Sequence, residues 1–172
     1  MQMTFLQRLD LYLRFSLPVA LTILLAVLGV VPLHAPGFAP VAPMLVLASL
    51  YYWAIYRPQM MPLILVFLVG LFHDILIGGP LGVNALAYLA AYGLVAGQRR
   101  VFLGKSFGVV WWGFMLVAAA VEALRWILMS ALGGTVLDPL PGFFTYVSSV
   151  AVYPLLSLLF SSVHKLIPMP EH

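Results

Sequence analysis

At 172 residues the chain has the length of one domain, yet 64% of it is hydrophobic, only 8% is charged, and its mean hydropathy is +1.11. Eight Lys and Arg and five Asp and Glu are too few to solvate a water-exposed surface, and they fall between long apolar runs. A soluble globular domain and a disordered chain are excluded, and the net charge of +3 reads as a topology signal rather than a nucleic-acid footprint, because the basic residues flank apolar segments.

A membrane-crossing helix needs about 20 mostly apolar residues, and six runs approach that length, at about 15–33, 41–56, 60–77, 81–97, 106–132 and 143–163. The first is followed by the uncharged loop His34 to Pro40. The second stops at Arg57-Pro58. The third ends at a tight turn, Gly78, Gly79, Pro80 and Gly82, which leads straight into the fourth. A charged loop, 98–105, precedes the long fifth run, and the loop 133–142 precedes the sixth. The first run has no small-residue cleavage site and is expected to stay as a helix. Continuous apolar runs exclude a barrel of short alternating strands. The expected fold is an all-α polytopic membrane protein forming one transmembrane domain over residues 1–172.

Orientation follows from the flanking Lys and Arg. With a cytoplasmic N-terminus, that side receives Arg8, Arg14, Arg57, Arg99, Arg100, Lys105 and Lys165, and the opposite side receives none. Both termini are then cytoplasmic. Arg57, Arg99, Arg100 and Lys105 are read as a basic inner face toward anionic lipid or a cytoplasmic partner, with lipid preferred.

Ionisable groups inside spans are costly and point to function by default. Asp74, Glu122 and Arg125 are such groups, and with Asn84 they are expected to form a buried polar cluster in the outer half of the membrane. The short link between the third and fourth spans makes them antiparallel neighbours and brings Asp74 near Asn84. Glu122 and Arg125 stand at i and i+3, able to pair on one helix face, and Asp74 is within possible reach of Arg125. Two readings stay open: polar contacts that fix which helices touch, which we prefer, and a ligand or ion path. His73 lies about 100° around the helix from Asp74, so the two are not expected to share a metal. No metal site or cofactor is expected.

Ala87, Ala90, Gly93 and Gly97 form a stripe of small residues read as a helix-packing face within the chain. Pro154 lies inside the sixth span and should free a carbonyl one turn earlier. Catalytic signatures are missing: no H-E-x-x-H, no Gly-x-Gly-Asp, no serine with a convincing base. Asp138 could pair with Asp74 only in outline. The sequence reads as a non-enzyme.

Trp53-x-x-x-Arg57-Pro58, Gly70-Leu71-Phe72-His73-Asp74 and Gly79-Pro80-Leu81-Gly82-Val83-Asn84-Ala85 together resemble the MreD family of bacterial rod shape-determining membrane proteins. The resemblance implies a small inner-membrane component of the cell-elongation complex, with no cofactor. It would bind MreC and, through it, MreB filaments and the peptidoglycan polymerase and transpeptidase. It also implies a fold similar to the substrate-binding subunits of energy-coupling-factor transporters, which supplies the alternative function of a vitamin-type substrate-binding subunit.

Overall fold

The computed structural model describes residues 5–30 and 42–165, with side chains from residue 16 onward. The described residues form seven α-helices: α1 (Phe5–Val30), α2 (Leu45–Tyr56), α3 (Leu63–Ile77), α4 (Val83–Gly97), the single turn α5 (Arg99–Phe102), α6 (Phe107–Gly133) and α7 (Leu140–Lys165). No strand occurs among the described residues. The loop His34 to Pro40 and the side chains of Arg8 and Arg14 lie outside them.

α2 is the centre of the molecule because its sequence has no polar face. Every residue from Val46 to Ile55 is buried, as expected of a helix that is apolar all round. It contacts α1, α4, α6, α7 and the α5 turn. Two of its polar groups tie it to other helices: Thr22 Oγ1 and Ser49 Oγ lie 2.7 Å apart, and the Tyr51 hydroxyl donates to Val110 O at 2.8 Å. The rings of Phe102, Phe114 and Tyr153 surround Tyr51 edge-on at centroid distances of 6.0, 5.4 and 5.8 Å.

α6 and α7 are long and apolar enough to cross a membrane, whereas residues 16–30 of α1 and helices α2, α3 and α4 are shorter apolar helices. The third apolar run does not begin as a helix at Met60. Pro58–Met60 form a 3-10 turn and Pro62 lacks the N–H to continue it, so α3 starts at Leu63. The segment 98–105 is not a plain loop, since residues 99–102 coil into α5 and place Phe102 against Tyr51.

Pro154 sits within α7 and cannot donate the hydrogen bond that would close the turn onto Val150. The freed carbonyl is not left unpaired. Trp111 Nε1 on α6 donates to Val150 O at 3.1 Å, so a break in one helix becomes a tie to its neighbour.

Candidate functional site

The turn between α3 and α4 is built around one carboxylate. α3 ends on Gly78, whose φ of 66° is left-handed, with Gly78 N–H bonded to Ile75 O and Gly79 N–H to Asp74 O, each at 3.2 Å. This is a Schellman ending, which favours glycine because the left-handed region penalises a Cβ. α4 then begins at Gly82, with φ of 100° and no side chain able to cap the helix. Asp74 supplies the cap from the other helix. Its Oδ2 accepts from Gly82 N–H at 2.8 Å, and its Oδ1 accepts from Asn84 N–H at 3.1 Å and from Asn84 Nδ2 at 2.8 Å. Asp74 and Asn84 are each 1% exposed. A carboxylate at a helix N-terminus also meets the positive end of the helix dipole, which lowers the cost of burying it.

Close packing makes the arrangement possible. α3 and α4 form the most extensive helix pair in the chain, and Gly70 faces Ala85 so closely that a Cβ at position 70 would overlap the Ala85 backbone.

Glu122 and Arg125 pair with each other along α6, Arg125 Nη1 donating to Glu122 Oε2 at 3.1 Å. Asp74 is bonded to the turn through both oxygens and does not take Arg125 as its partner. The Tyr88 hydroxyl is 2.9 Å from His73 Nδ1 and within electrostatic range of Arg125, Asp74 and Glu122. The His73–Tyr88 contact was not expected from the sequence. Its signal was that Tyr88 lies one turn beyond Asn84 on the same face of α4. Glu122 also borders a cavity of about 290 Å³ between α6 and α7, which Trp126, Phe143 and Tyr146 help to line. Gly142 is close against the Glu122 carboxylate. Asp138 is exposed and accepts from Leu140 N–H at 3.0 Å at the start of α7, so it caps a helix and does not meet Asp74.

Two expectations need correction. The small-residue stripe of α4 is not a packing face as a whole. Ala87 is buried, but Ala90, Gly93 and Gly97 are exposed, and a Cβ on Gly93 or Gly97 would meet nothing within 4 Å. The face turned inward carries Asn84, Tyr88, Tyr92 and Val95 instead, because the large aromatic residues gain more contact there than glycines do. Ala90 borders an open apolar groove of about 310 Å³ between α4 and α6.

Arg57 is likewise not part of an exposed basic face. Arg99, Arg100 and Lys105 are exposed, whereas Arg57 is only 7% exposed. It follows directly on α2, whose residues Val46 to Ile55 are all buried, and the end of α7 covers it, with His164 Nε2 3.5 Å from Arg57 Nε.

Ser49, Tyr51, Asp74, Asn84 and Ser149 in this helical core bind other helices or turns of the same chain, which defines a helical membrane protein whose internal polarity ties its helices together. The family model of the rod shape-determining protein MreD matches residues 10–163, and the chain belongs to that family. It is therefore a rod shape-determining membrane protein. Neither the curated proteins nor the solved structures compared with the chain include a match.

Proposed function

We propose that the chain is a six-span protein of the bacterial inner membrane, both termini cytoplasmic, that acts as a non-enzymatic scaffold of the cell-elongation complex. In this reading it binds MreC directly and supports lateral peptidoglycan synthesis through MreB filaments and the polymerase and transpeptidase they guide. The observation that carries the proposal is the family match over residues 10–163, which takes in α2 through α6 and nearly all of α7. Charge placement supports the orientation: exposed Arg99, Arg100 and Lys105 lie between α4 and α6, and the turn 78–82 and the segment 134–139 hold no Lys or Arg.

Recognition of a single-span partner in lipid depends on shape and a few polar contacts, since apolar surface alone gives no preference over lipid tails. The fixed turn at Asp74 and the Trp111–Val150 tie keep the helix surfaces in one arrangement for such a partner. The test is affinity purification of the tagged full chain in mild detergent, with mass spectrometry of the copurifying proteins. The proposal expects MreC among them. Recovery of transporter ATPase subunits without MreC would overturn it and favour the substrate-binding alternative.

A further inference from the structure

Between α6 and α7, at the end of the bundle that carries the Asp74 turn, lies the cavity of about 290 Å³ that Glu122 borders. Trp126, Phe143 and Tyr146 give it three aromatic walls, and the small residues Ala123 and Gly142 leave the space between them. Trp126 Nε1 is bonded to Leu137 O at 2.9 Å, so the indole offers the cavity its ring and not its donor. Glu122 is the one charged residue among those lining it. Its Oε1 is turned against Gly142, where a Cβ would stand 2.6 Å from that oxygen, so only glycine lets α7 come this close to the carboxylate.

Arg125 does not close this site. It pairs with the other oxygen of Glu122, Nη1 to Oε2 at 3.1 Å, and is not among the lining residues. Around α6 it stands on the opposite side of Glu122 from Ala123 and Trp126, within electrostatic range of His73 on α3 and Tyr88 on α4. The pair is therefore one-sided, its guanidinium toward α3 and α4 and its carboxylate toward the cavity. Arg125 is also the only Lys or Arg at this end. Arg99, Arg100 and Lys105 belong to the stretch that joins α4 to α6, and Arg57 and Lys165 close α2 and α7. Arg8 and Arg14 open α1, whose Thr22 meets Ser49 on α2, which places position 14 about 30 Å of helix rise from Gly142. One guanidinium thus serves a cluster that holds two carboxylates, Asp74 and Glu122.

We infer that this cavity binds an organic ammonium group, held by Glu122 Oε1 and by the rings of Trp126, Phe143 and Tyr146. A cation is drawn to the face of an aromatic ring as well as to a carboxylate, and both attractions strengthen away from water. A bare metal ion does not suit this wall, because hard cations take about six oxygen ligands and the wall supplies one carboxylate. An anion would meet the charge of Glu122, and a purely apolar occupant would enclose Oε1 without a donor for it. The volume suits a ligand with an apolar body rather than ammonium itself. The cavity reaches the surface past Phe143 and Trp126, 61% and 36% exposed, and tryptophan and tyrosine mark the level of lipid headgroups. The ammonium is supplied either by an amine-bearing headgroup or by a free amphiphilic amine, and the chemistry that recognises it is the same for both.

The test uses the purified full chain in a neutral detergent, reading retained ligand by native mass spectrometry and thermal stability together. The probes are dioleoylphosphatidylethanolamine, dioleoylphosphatidylglycerol, which has the same chains and phosphate without the amine, and dodecylamine. An amine-bearing probe is expected to bind and stabilise the protein, and the phosphatidylglycerol is not. Glu122→Gln, which keeps the side chain's size and removes its charge, is expected to weaken amine binding about tenfold or more. Phe143→Leu, at an exposed position, should weaken it about threefold, and Trp112→Leu, at an exposed aromatic of α6 outside the cavity, should leave it intact. Binding of the phosphatidylethanolamine alone assigns the ammonium to a headgroup, and binding of dodecylamine assigns the site to free amines as well. Equal effects of the two lipids, no effect of either amine, or undiminished amine binding by Glu122→Gln would each overturn the inference. Where Glu122→Gln lowers the folded yield, Phe143→Leu decides, and undiminished amine binding by it overturns the inference in the same way. No partner protein enters these readouts, so they stand apart from the MreC proposal.

Discussion

Asp74 and Asn84, ten residues apart on two different helices, are joined twice through one oxygen: Asp74 Oδ1 accepts both the backbone N–H and the side-chain amide of Asn84, at 3.1 and 2.8 Å. Together with the Gly82 contact at 2.8 Å, this makes Asp74 the cap that α4 lacks in its own sequence. Asp74→Ala leaves three buried or half-buried donors without an acceptor and should cost about 2–4 kcal/mol, while Asp74→Asn keeps one acceptor oxygen and should cost roughly half as much. Unfolding of the purified variants in detergent checks the order. Equal stability of both variants and the parent protein would show that the carboxylate does not hold the turn.

Gly70 and Gly93 give a matched pair of substitutions. A Cβ on Gly70 would overlap the Ala85 backbone, which cannot move aside as a flexible side chain would, whereas a Cβ on Gly93 meets open space. Gly70→Ala should destabilise by about 1–3 kcal/mol through forced separation of α3 and α4. Gly93→Ala should be neutral or slightly stabilising, because alanine is the better helix former. Thermal unfolding of the two variants side by side distinguishes them, and a larger loss at Gly93 would place the close helix contact on the wrong face of α4.

Two buried tyrosines should respond in opposite directions to the same change. Tyr51 donates to Val110 O at 2.8 Å, so Tyr51→Phe should cost about 1 kcal/mol. The Tyr153 hydroxyl is buried without a partner, while its ring stacks on Phe114 at 4.2 Å. Tyr153→Phe keeps the stack and removes an unpaired polar group, so it should be neutral or stabilising by about 1 kcal/mol. Destabilisation by Tyr153→Phe as large as that by Tyr51→Phe would contradict the assignment of the unpaired group.

The tie between Trp111 and Val150 exists because Pro154 cannot serve Val150 itself. Trp111→Phe should cost about 1–2 kcal/mol by leaving that carbonyl unpaired. In a Pro154→Ala background a backbone N–H at position 154 is available to Val150, and the same substitution should cost less. A double-mutant cycle measures the difference, and strict additivity would show that the indole and the proline act independently.

What could be read from the sequence was what depends on neighbours along the chain. The glycine-rich turn after Ile77 is so short that α3 and α4 must run antiparallel, which brings Asp74 and Asn84 together. Glu122 and Arg125 are one helical turn apart and can meet without any knowledge of tertiary structure. What could not be read depends on segments far apart in the chain. Arg57 belongs with the other basic residues by sequence, and only His164, 107 positions away, reveals that the end of α7 buries it. The inward face of α4 is another such case, since spacing shows which residues share a face but not which face turns inward. The Asn84, Tyr88, Tyr92 and Val95 face has the same helical period and wins through its larger contact area.

The measurement that tests the account most directly is cell shape after depletion of this protein, with the parent chain or Asp74→Ala supplied in its place at matched protein levels. The account predicts that depleted cells lose rod shape and become round, that the parent chain restores normal width, and that Asp74→Ala fails to do so. Depleted cells that keep their rod shape and width would contradict the shape-determining role. Full rescue by Asp74→Ala at normal protein level would separate that role from the α3–α4 turn.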